Sequence, residues 1–527
     1  MLLASSLKML AGLALTSAAT AHLTMTKVGG FASANEDPLE IVVAGPDNHV
    51  FAASATGVSI LKLGEDLSLS EIGFYTSMVA FGEPTSVAYN SVYDEVAISV
   101  KSFDPLVKGR VYIVKSASAW MECAFCDDDV QILETGYLPD MVTFTPDGRR
   151  ILTANEGEPL DYTKAENDPE GSVSIFKRQW KTKTYQPACE VGFEKFNTQS
   201  RTERLVNRGM RVGGKDFTTF SMDMEPEYIA VTENGNTAYV TLQENNAVVK
   251  IDIKGCQVKR MYPLGYKEWG NDLQLDASDK DGMINLQSWP TVKGMYMPDA
   301  ITTFKANGNR YFLTANEGDA REYGEEDTAD FFTDETRVED LAIELGLDAT
   351  MSPYNDDTLG RLKVTSAAPF DGNINELYAF GGRRVQSISI FGGKKGELVW
   401  DSGDFIEQFT ADPANGFSDI FNSEGGVDTF DGRSDDKGAE PEGLAMAEID
   451  GRIFVFVSLE RIGGWMCWDV SDPTAPVFQS YVNSFEEDTA PESAAIIPAD
   501  ESPSGNALMV AAYEASNTLA VFELKMH

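Results

Sequence analysis

A short unit that recurs along the chain constrains the fold more than any other feature. Each copy opens with a proline followed by an acidic residue, runs through a β-rich apolar stretch, turns, and returns through a second stretch to an acid-rich tail. The first copy begins at Pro139-Asp140, turns at Pro146-Asp147-Gly148 and ends at Asn155-Glu156-Gly157-Glu158. Further copies open at Pro226-Glu227, Pro298-Asp299, Pro441-Glu442 and Pro491-Glu492, with weaker relatives near Glu40 and at Glu83-Pro84.

The turn of each unit predicts a β-hairpin, because Asp-Gly and Asn-Gly pairs tolerate the positive φ of tight turns. Tandem hairpins with hardly any amphipathic helix between them predict an all-β fold, a single β-propeller of about seven blades over residues 38–525. Six or eight blades are alternatives, and a pair of β-sandwiches would not explain an acid that recurs at one place. We expect the spacers 177–216 and 321–361 to be loops or small insertions on one face, and residues 40–43 to pair with 518–522 to close the disc.

The N-terminal residues predict secretion. Residues 1–21 carry one cation, Lys8, then a short apolar run and the small residues Ala19-Thr20-Ala21, which is the pattern of a signal peptide. Residues 22–37 form an N-terminal segment before the propeller. No stretch approaches the roughly 20 apolar residues that a spanning helix needs. We therefore expect a secreted, extracellular protein without a membrane anchor.

The charge of the chain restricts its partners. Lys and Arg number 42 against 83 Asp and Glu, a net charge of −41, which would repel nucleic acid and anionic membranes. Cations are the natural partners, although most of the scattered charges need do no more than keep the protein soluble. Of the five cysteines, Cys123 and Cys126 could close a tight disulfide, and Cys189 with Cys256 is a weaker pairing.

The repeat predicts a metal site. A hairpin returns its end to the level of its beginning, so the acids that open and close each unit should meet at one mouth of the channel. Carboxylates so close together need a compensating cation, and hard oxygen ligands from several loops favour calcium, with other divalent cations as the alternative. Each acid taken singly could instead be a turn former or a strand cap. The predicted ligand set is Asp140, Glu156, Glu158, Glu227, Glu244, Asp299, Glu317, Asp319, Glu442, Glu460, Glu492 and Glu514.

Basic residues near these acids suggest that the site also has a phosphate-binding part. Arginine forks bind phosphate in bidentate fashion, although each could instead only neutralise a neighbouring carboxylate. The chain has three histidines, His22, His49 and His527, which excludes a multi-histidine zinc site and a histidine-based triad. Any hydrolysis would rest on metal ions and carboxylates. The candidate phosphate-binding residues are Arg321, Arg383, Arg433, Lys437 and Arg461.

An ordered set of short strings resembles the choice-of-anchor I family. It includes Ala154-Asn155-Glu156-Gly157-Glu158-Pro159, Ala315-Asn316-Glu317-Gly318-Asp319 and Glu440-Pro441-Glu442-Gly443, and the similarity covers roughly residues 38–525. The resemblance implies a secreted β-propeller. Some members are described as atypical alkaline phosphatases, many have no assigned activity, and no catalytic residue can be carried over. Members often end in a membrane or wall anchor, whereas the sequence here stops at Lys525-Met526-His527, so we expect a freely secreted form.

Two functions compete at this point. The first is a secreted, metal-dependent phosphohydrolase of the atypical alkaline phosphatase type, acting on a small phosphorylated substrate. The second is a non-catalytic, calcium-stabilised binding or scaffold propeller that recognises an extracellular ligand. The fold alone does not separate them, because propellers serve both purposes.

Overall fold

The computed structural model describes residues 21–34, 38–123, 130–270, 273–326, 328–381 and 387–527. Within these ranges the chain forms seven four-stranded antiparallel sheets, which we number I to VII, and three smaller sheets. Each of the seven is built from one predicted hairpin and the two strands that follow it or, in sheet VII, from a hairpin, one further strand and the N-terminal strand.

The first four sheets use consecutive strands, and one strand precedes them. That strand is β1 (Leu23–Ala32). Sheet I has β2 (Val42–Ala44), β3 (His49–Ser54), β4 (Gly57–Leu63) and β5 (Leu69–Tyr75), and sheet II has β6 (Gly82–Asn90), β7 (Glu95–Ser102), β8 (Arg110–Val114) and β9 (Val130–Glu134). Sheet III has β10 (Pro139–Phe144), β11 (Arg150–Asn155), β12 (Ser172–Arg178) and β13 (Tyr185–Val191), and sheet IV has β14 (Pro226–Val231), β15 (Thr237–Leu242), β16 (Ala247–Asp252) and β17 (Gln257–Pro263).

Sheet V is interrupted by insertions. After β18 (Tyr266–Glu268) and β19 (Val292–Met295) come β20 (Ile301–Ala306), β21 (Asn309–Asn316), β22 (Glu322–Tyr323), β23 (Phe332–Thr333), β24 (Glu335–Arg337), β25 (Lys363–Thr365), β26 (Leu377–Ala379), β27 (Ser387–Gly392) and β28 (Glu397–Asp401). Sheet V itself is β20, β21, β27 and β28. Sheet VI has β29 (Pro441–Ile449), β30 (Arg452–Leu459), β31 (Trp465–Asp469) and β32 (Val477–Val482), and sheet VII has β33 (Pro491–Ile497), β34 (Ala507–Tyr513) and β35 (Thr518–Met526) beside β1.

Helices are short and lie in the connections. The α-helices are α1 (Ala117–Glu122), α2 (Gln199–Val206), α3 (Val338–Glu344) and α4 (Phe405–Ala411). Single 3₁₀ turns span Ala165–Asn167, Glu194–Phe196, Pro413–Asn415, Ser418–Ile420 and Val427–Thr429. None of the helices in the described ranges has the length and apolarity that a bilayer crossing requires.

The first strands of the sheets form a ring. Contacts run from β2 to β6, β10, β14, β20, β29 and β33, and β33 returns to β2. The core fills the spaces between neighbouring sheets, as where Phe454 and Phe456 of sheet VI pack with Met509 and Phe522 of sheet VII. The prediction of an all-β propeller is therefore confirmed, with the strand that opens each hairpin innermost.

The closure of the ring differs from the prediction. Strand β1 pairs antiparallel with β35, from Leu23 opposite Met526 to Ala32 opposite Thr518. Residues 40–43 instead run beside β3, with Val42 opposite Ala52 and Val43 opposite Phe51, so the predicted pairing with 518–522 is wrong. Strand propensity does not name a partner, and the pair Gly29-Gly30 weakens the strand signal in β1. Ten residues of the N-terminal segment thus belong to sheet VII.

The long spacers are more structured than predicted. The range 177–216 contains β13 and α2, and 321–361 contains three short strands and α3. Residues around Trp269, Leu275, Leu341 and Leu362 give the insertions a small core of their own. The first strand of each sheet starts at the face of the disc that carries the acids. Because successive strands are antiparallel, the second and fourth strands end at that same face, and the connections that follow them emerge there. The insertions therefore lie on the face that carries the acids.

The cysteines follow the predicted pairing where they are described. Cys189 and Cys256 form a disulfide between sheets III and IV, with Cα atoms 6.1 Å apart. Cys467 is buried and unbridged. The predicted bond from Cys123 involves Cys126, which lies outside the described residues.

Candidate metal centre

The backbone is irregular beside the first-strand acids of sheets III to VII. In sheets III, IV, VI and VII the ladder register shifts immediately after the opening proline, across the position of the acid. Such bulges re-aim a side chain out of the regular pleat. The residue before the proline has a positive φ in four copies, at Leu138, Met297, Glu440 and Ala490, which is costly for a residue with a Cβ. This repeated strain turns the acids towards the channel.

A recurring hydrogen bond joins the two ends of the hairpin in sheets III, VI and VII. The backbone N–H of Glu156 donates to the Leu138 carbonyl at 2.9 Å, and that of Glu460 donates to the Glu440 carbonyl at 2.8 Å. The N–H of Glu514 donates to the Ala490 carbonyl at 2.7 Å. The acid that closes a hairpin is therefore held beside the one that opens it, as predicted from the hairpin geometry.

A central cavity of about 140 Å³ collects these acids. Among the described residues that line it, eight are acidic and none is basic. Seven of the eight belong to the predicted ligand set, and the eighth, Glu40, comes from one of the weaker copies of the repeat. The eight are Glu40, Asp140, Glu156, Glu227, Asp299, Glu317, Glu442 and Glu492.

One side of the cavity has the spacing of a cation site. Carboxylate oxygens of Asp299, Glu317 and Glu442 all lie within 4.8 Å of one another. Gln243 Nε2 donates to Glu227 Oε1 at 3.2 Å and to Glu317 Oε2 at 3.3 Å, which fixes these two side chains. Glu227 Oε2 and Glu442 Oε2 are buried without a hydrogen-bond partner. Oxygens of this kind are costly to bury unless something positive meets them.

The pKa values of the cavity acids also indicate that their carboxylates lack enough positive charge nearby to compensate them. Burial raises the pKa of Asp140 to about 6 and that of Glu40 to about 7, where repulsion from other carboxylates adds to the rise. Burial and the neighbouring carboxylates raise the pKa of Glu227, Asp299 and Glu442 well above the ordinary range. These acids either hold protons or require a cation.

The other predicted acids lie around the cavity rather than in it. Glu158 lines a separate pocket, and burial raises its pKa to about 7. Burial likewise raises the pKa of Glu244 to about 7. Glu460 lies 3.0 Å from Arg461, and Glu514 is within electrostatic range of Glu40.

Lys437 links the cavity to its rim. Its ammonium nitrogen lies 2.7 Å from Glu317 Oε1, 2.8 Å from Asp319 Oδ1 and 3.4 Å from Glu440 Oε2. Asp319 is mostly exposed, with 61% of its side chain accessible, so it belongs to the rim and not to the cavity. Lys437 therefore compensates one of the three clustered carboxylates and also contacts the exposed Asp319 at the rim, although its own side chain is only 9% accessible.

Glu440 organises the predicted cations, although the sequence did not single it out. Its fully buried carboxylate lies 2.5 Å from Arg433 Nη2 and 3.1 Å from Arg461 Nε, besides Lys437. Burial alone would raise the pKa of Glu440, but these three cations hold it below its usual range. Glu440 precedes the proline of its repeat, whereas the predicted acids follow theirs. Glu225 occupies the same position before Pro226, so this placement was the available signal.

Two predicted phosphate ligands do not join this rim. Arg321 is 1% exposed, with Nη2 3.2 Å from Asp223 Oδ1 and Nη1 3.7 Å from Asp334 Oδ2. Arg321 is therefore enclosed by acidic residues away from the rim, and its binding of phosphate stays a prediction. Arg383 lies outside the described residues.

The fold and the site together define a β-propeller with a carboxylate-lined channel. The profile of the choice-of-anchor I domain matches residues 40–473, which is most of the chain. The chain therefore belongs to the choice-of-anchor I family, as the resemblance implied.

Two curated relatives share part of the chain. A mesenchyme-specific cell surface glycoprotein of Strongylocentrotus purpuratus is 29% identical over 328 residues, which are 55% of this chain and 41% of that protein. Gigasin-3a of Magallana gigas is 28% identical over 197 residues, 33% of this chain and 67% of its own. The match thus spans less than half of the sea urchin protein. A cell-surface relative and a disulfide are compatible with an extracellular location.

Solved structures with a similar outline are distant in sequence. Hydrazine synthase of Kuenenia stuttgartiensis aligns over 93% of this chain and 96% of its own, with a TM-score of 0.46 and 11% identity. The Cps50 (Swd1) β-propeller domain of Myceliophteria thermophila aligns over 95% and 99%, with a TM-score of 0.44 and 8% identity.

Proposed function

We propose that this chain is a secreted, extracellular propeller that binds a divalent cation, with calcium preferred, among the carboxylates of its central cavity. The observation that carries the proposal is the carboxylate of Glu442: its Oε2 is buried without a hydrogen-bond partner, and the group lies with the carboxylates of Asp299 and Glu317 in a cluster of oxygens within 4.8 Å of one another. A bound cation would compensate the charge that burial and crowding otherwise leave on these groups.

The donor set favours calcium among common cations. Calcium takes six to eight oxygen ligands in irregular geometry, whereas magnesium demands a near-ideal octahedron. The cavity offers carboxylates from several independent sheets, and none of the described residues that line it is a histidine or a cysteine. A volume of about 140 Å³ leaves room for an ion with attached waters.

Calorimetric titration of the metal-free protein with calcium tests the site. Replacing Glu442 with Gln should weaken calcium binding about tenfold or more, because it removes a charged ligand without changing the shape of the side chain. The matched control is Glu448→Gln, which lies at the exposed far end of the same strand and should bind like the native protein. Equal affinity of both variants for calcium would contradict the proposed ligand set.

A second candidate function is metal-dependent phosphate ester hydrolysis. The observation that favours it is Lys437, which contacts the clustered Glu317 on one side and the rim on the other. A divalent ion held by the cluster would supply Lewis-acid polarisation of a phosphoryl oxygen. Lys437 and the partly exposed Arg461 would then hold and orient the other phosphoryl oxygens.

Hydrolysis of a panel of phosphomonoesters and diesters, with calcium and with chelator, tests this candidate. If the protein is a phosphohydrolase, turnover should need the cation, and Arg461→Ala should raise KM by removing a phosphate contact. Arg149→Ala provides the control, because Arg149 lies in an exposed hairpin turn at the far end of sheet III. Absence of turnover across the panel from neutral to alkaline pH would leave the non-catalytic binding propeller as the function.

A further inference from the structure

A second pocket opens on the acidic face beside the central cavity. It has a volume of about 370 Å³ and shares none of its lining residues with that cavity. Its walls come from the loop between β7 and β8, the loop that follows β11, and β22 of the insertion. This pocket, which we call the Phe103 pocket, is within the size range of small-molecule sites.

The walls of the Phe103 pocket expose apolar side chains to solvent. Phe103, Val107 and Leu160 are 62%, 45% and 42% exposed, although all three line one concave surface. Their backbone is held in place, because Val107 N–H donates to the Asp104 carbonyl at 2.9 Å and Leu160 N–H to the Asn167 carbonyl at 2.9 Å. Apolar groups held open to water in a concavity are typical of a binding surface.

The charges in the pocket restrict what it can bind. Three carboxylates, Glu83, Glu158 and Glu322, and one ammonium, Lys101, line it. Lys101 is already neutralised, because its nitrogen lies 3.1 Å from Glu83 Oε2. The remaining carboxylates leave the pocket acidic, and the neighbouring cavity adds to the negative field.

We propose that the Phe103 pocket binds a small organic cation with an apolar or aromatic body. The body would lie against Phe103, Val107 and Leu160, and the ammonium would lie beside Glu158. The exposed ring of Phe103 would attract the same cation through its π face. This site goes beyond the proposed cation site and does not depend on a bound metal.

The test is titration of the full chain with 2-phenylethylammonium in chelator at about pH 8, compared with its neutral analogue 2-phenylethanol. We expect saturable binding of the cation, about five- to tenfold tighter than of the alcohol. Phe103→Ala and Leu160→Ala should each weaken the binding of both probes. Glu158→Gln should remove the preference for the cation while leaving the alcohol bound.

Matched controls separate this site from general surface binding. Ile72→Ala truncates an apolar side chain that is 48% exposed on the outer strand of sheet I and should change nothing. Failure of both probes to saturate, or binding that Phe103→Ala and Leu160→Ala leave unchanged, would overturn the proposal. Equal affinity for the cation and the alcohol would overturn the assignment of the ligand as a cation. Calcium binding, measured separately, decides the proposed function whichever way these titrations turn out.

Discussion

At the scale of single residues, Glu440 is the buried carboxylate that pairs with the three cations at the rim of the cavity. Glu440→Gln leaves Arg433, Lys437 and Arg461 without their common carboxylate, so the free energy of unfolding should fall by about 3 kcal/mol. The depressed pKa of Glu440 means that it stabilises the native state above the ordinary glutamate range and stops doing so as pH falls through its folded value. Urea unfolding at neutral and acidic pH measures both effects.

Glu424→Gln is the control for this variant. Glu424 also faces Arg461, at 3.7 Å, but its side chain is 56% exposed, and exposed pairs contribute little. A loss of stability that is the same in the two variants would show that burial of Glu440 does not matter.

The sequence predicted the channel acids because most of them follow a proline at the start of a hairpin, and Glu156 and Glu317 stand at the end of one. It did not predict Glu440, whose importance comes from three cations brought to it by folding. It did not predict that Asp223 and Asp334 enclose Arg321, because proximity to acids along the chain does not show which carboxylates surround a side chain after folding. The types of the site residues and their places in the repeat could be predicted from the sequence, whereas their burial and their ion-pair partners could not.

At the scale of elements, the close approach of β29 and β33 sets the positions of Glu442 and Glu492. A Cβ on Gly443 would lie 1.8 Å from the Glu492 carbonyl oxygen, so Gly443→Ala must push these two inner strands apart. We expect a loss of about 2 kcal/mol in stability and weaker calcium binding. Thermal unfolding and calorimetry of the variant measure the two effects.

Gly426→Ala is the matched control, since a Cβ there would meet its nearest neighbour, Phe485, at 4.0 Å. Native-like calcium affinity in Gly443→Ala would mean that the spacing of these strands does not position the ligands.

Elements were predictable where the chain pairs with itself nearby. The hairpins β10–β11, β14–β15 and β29–β30 follow from local turns and strand propensity. The pairing of β1 with β35 joins the two ends of the described chain, and no local signal specifies it. The short strands and helix of the insertions likewise depend on packing against one another.

At the scale of the whole molecule, the propeller of a chain with a net charge of −41 brings eight acidic residues together around one cavity. The inner strands of separate sheets each bring one or more acids, and the ring gives those acids no room to move apart. A cation bound as proposed would help to make the closed ring stable near neutral pH. The raised pKa values of Asp140 and Glu40, about 6 and about 7, give the pH window in which this matters.

The most direct measurement is the thermal unfolding temperature in chelator and in calcium, at about pH 5 and about pH 8. Groups with raised folded pKa values stabilise the native state below their unfolded values and lose that contribution as pH rises. The metal-free protein should therefore unfold at a lower temperature at the higher pH, and calcium should raise the unfolding temperature much more there than at the lower pH. An unfolding temperature that calcium leaves unchanged at the higher pH, after prolonged chelation, would contradict the account.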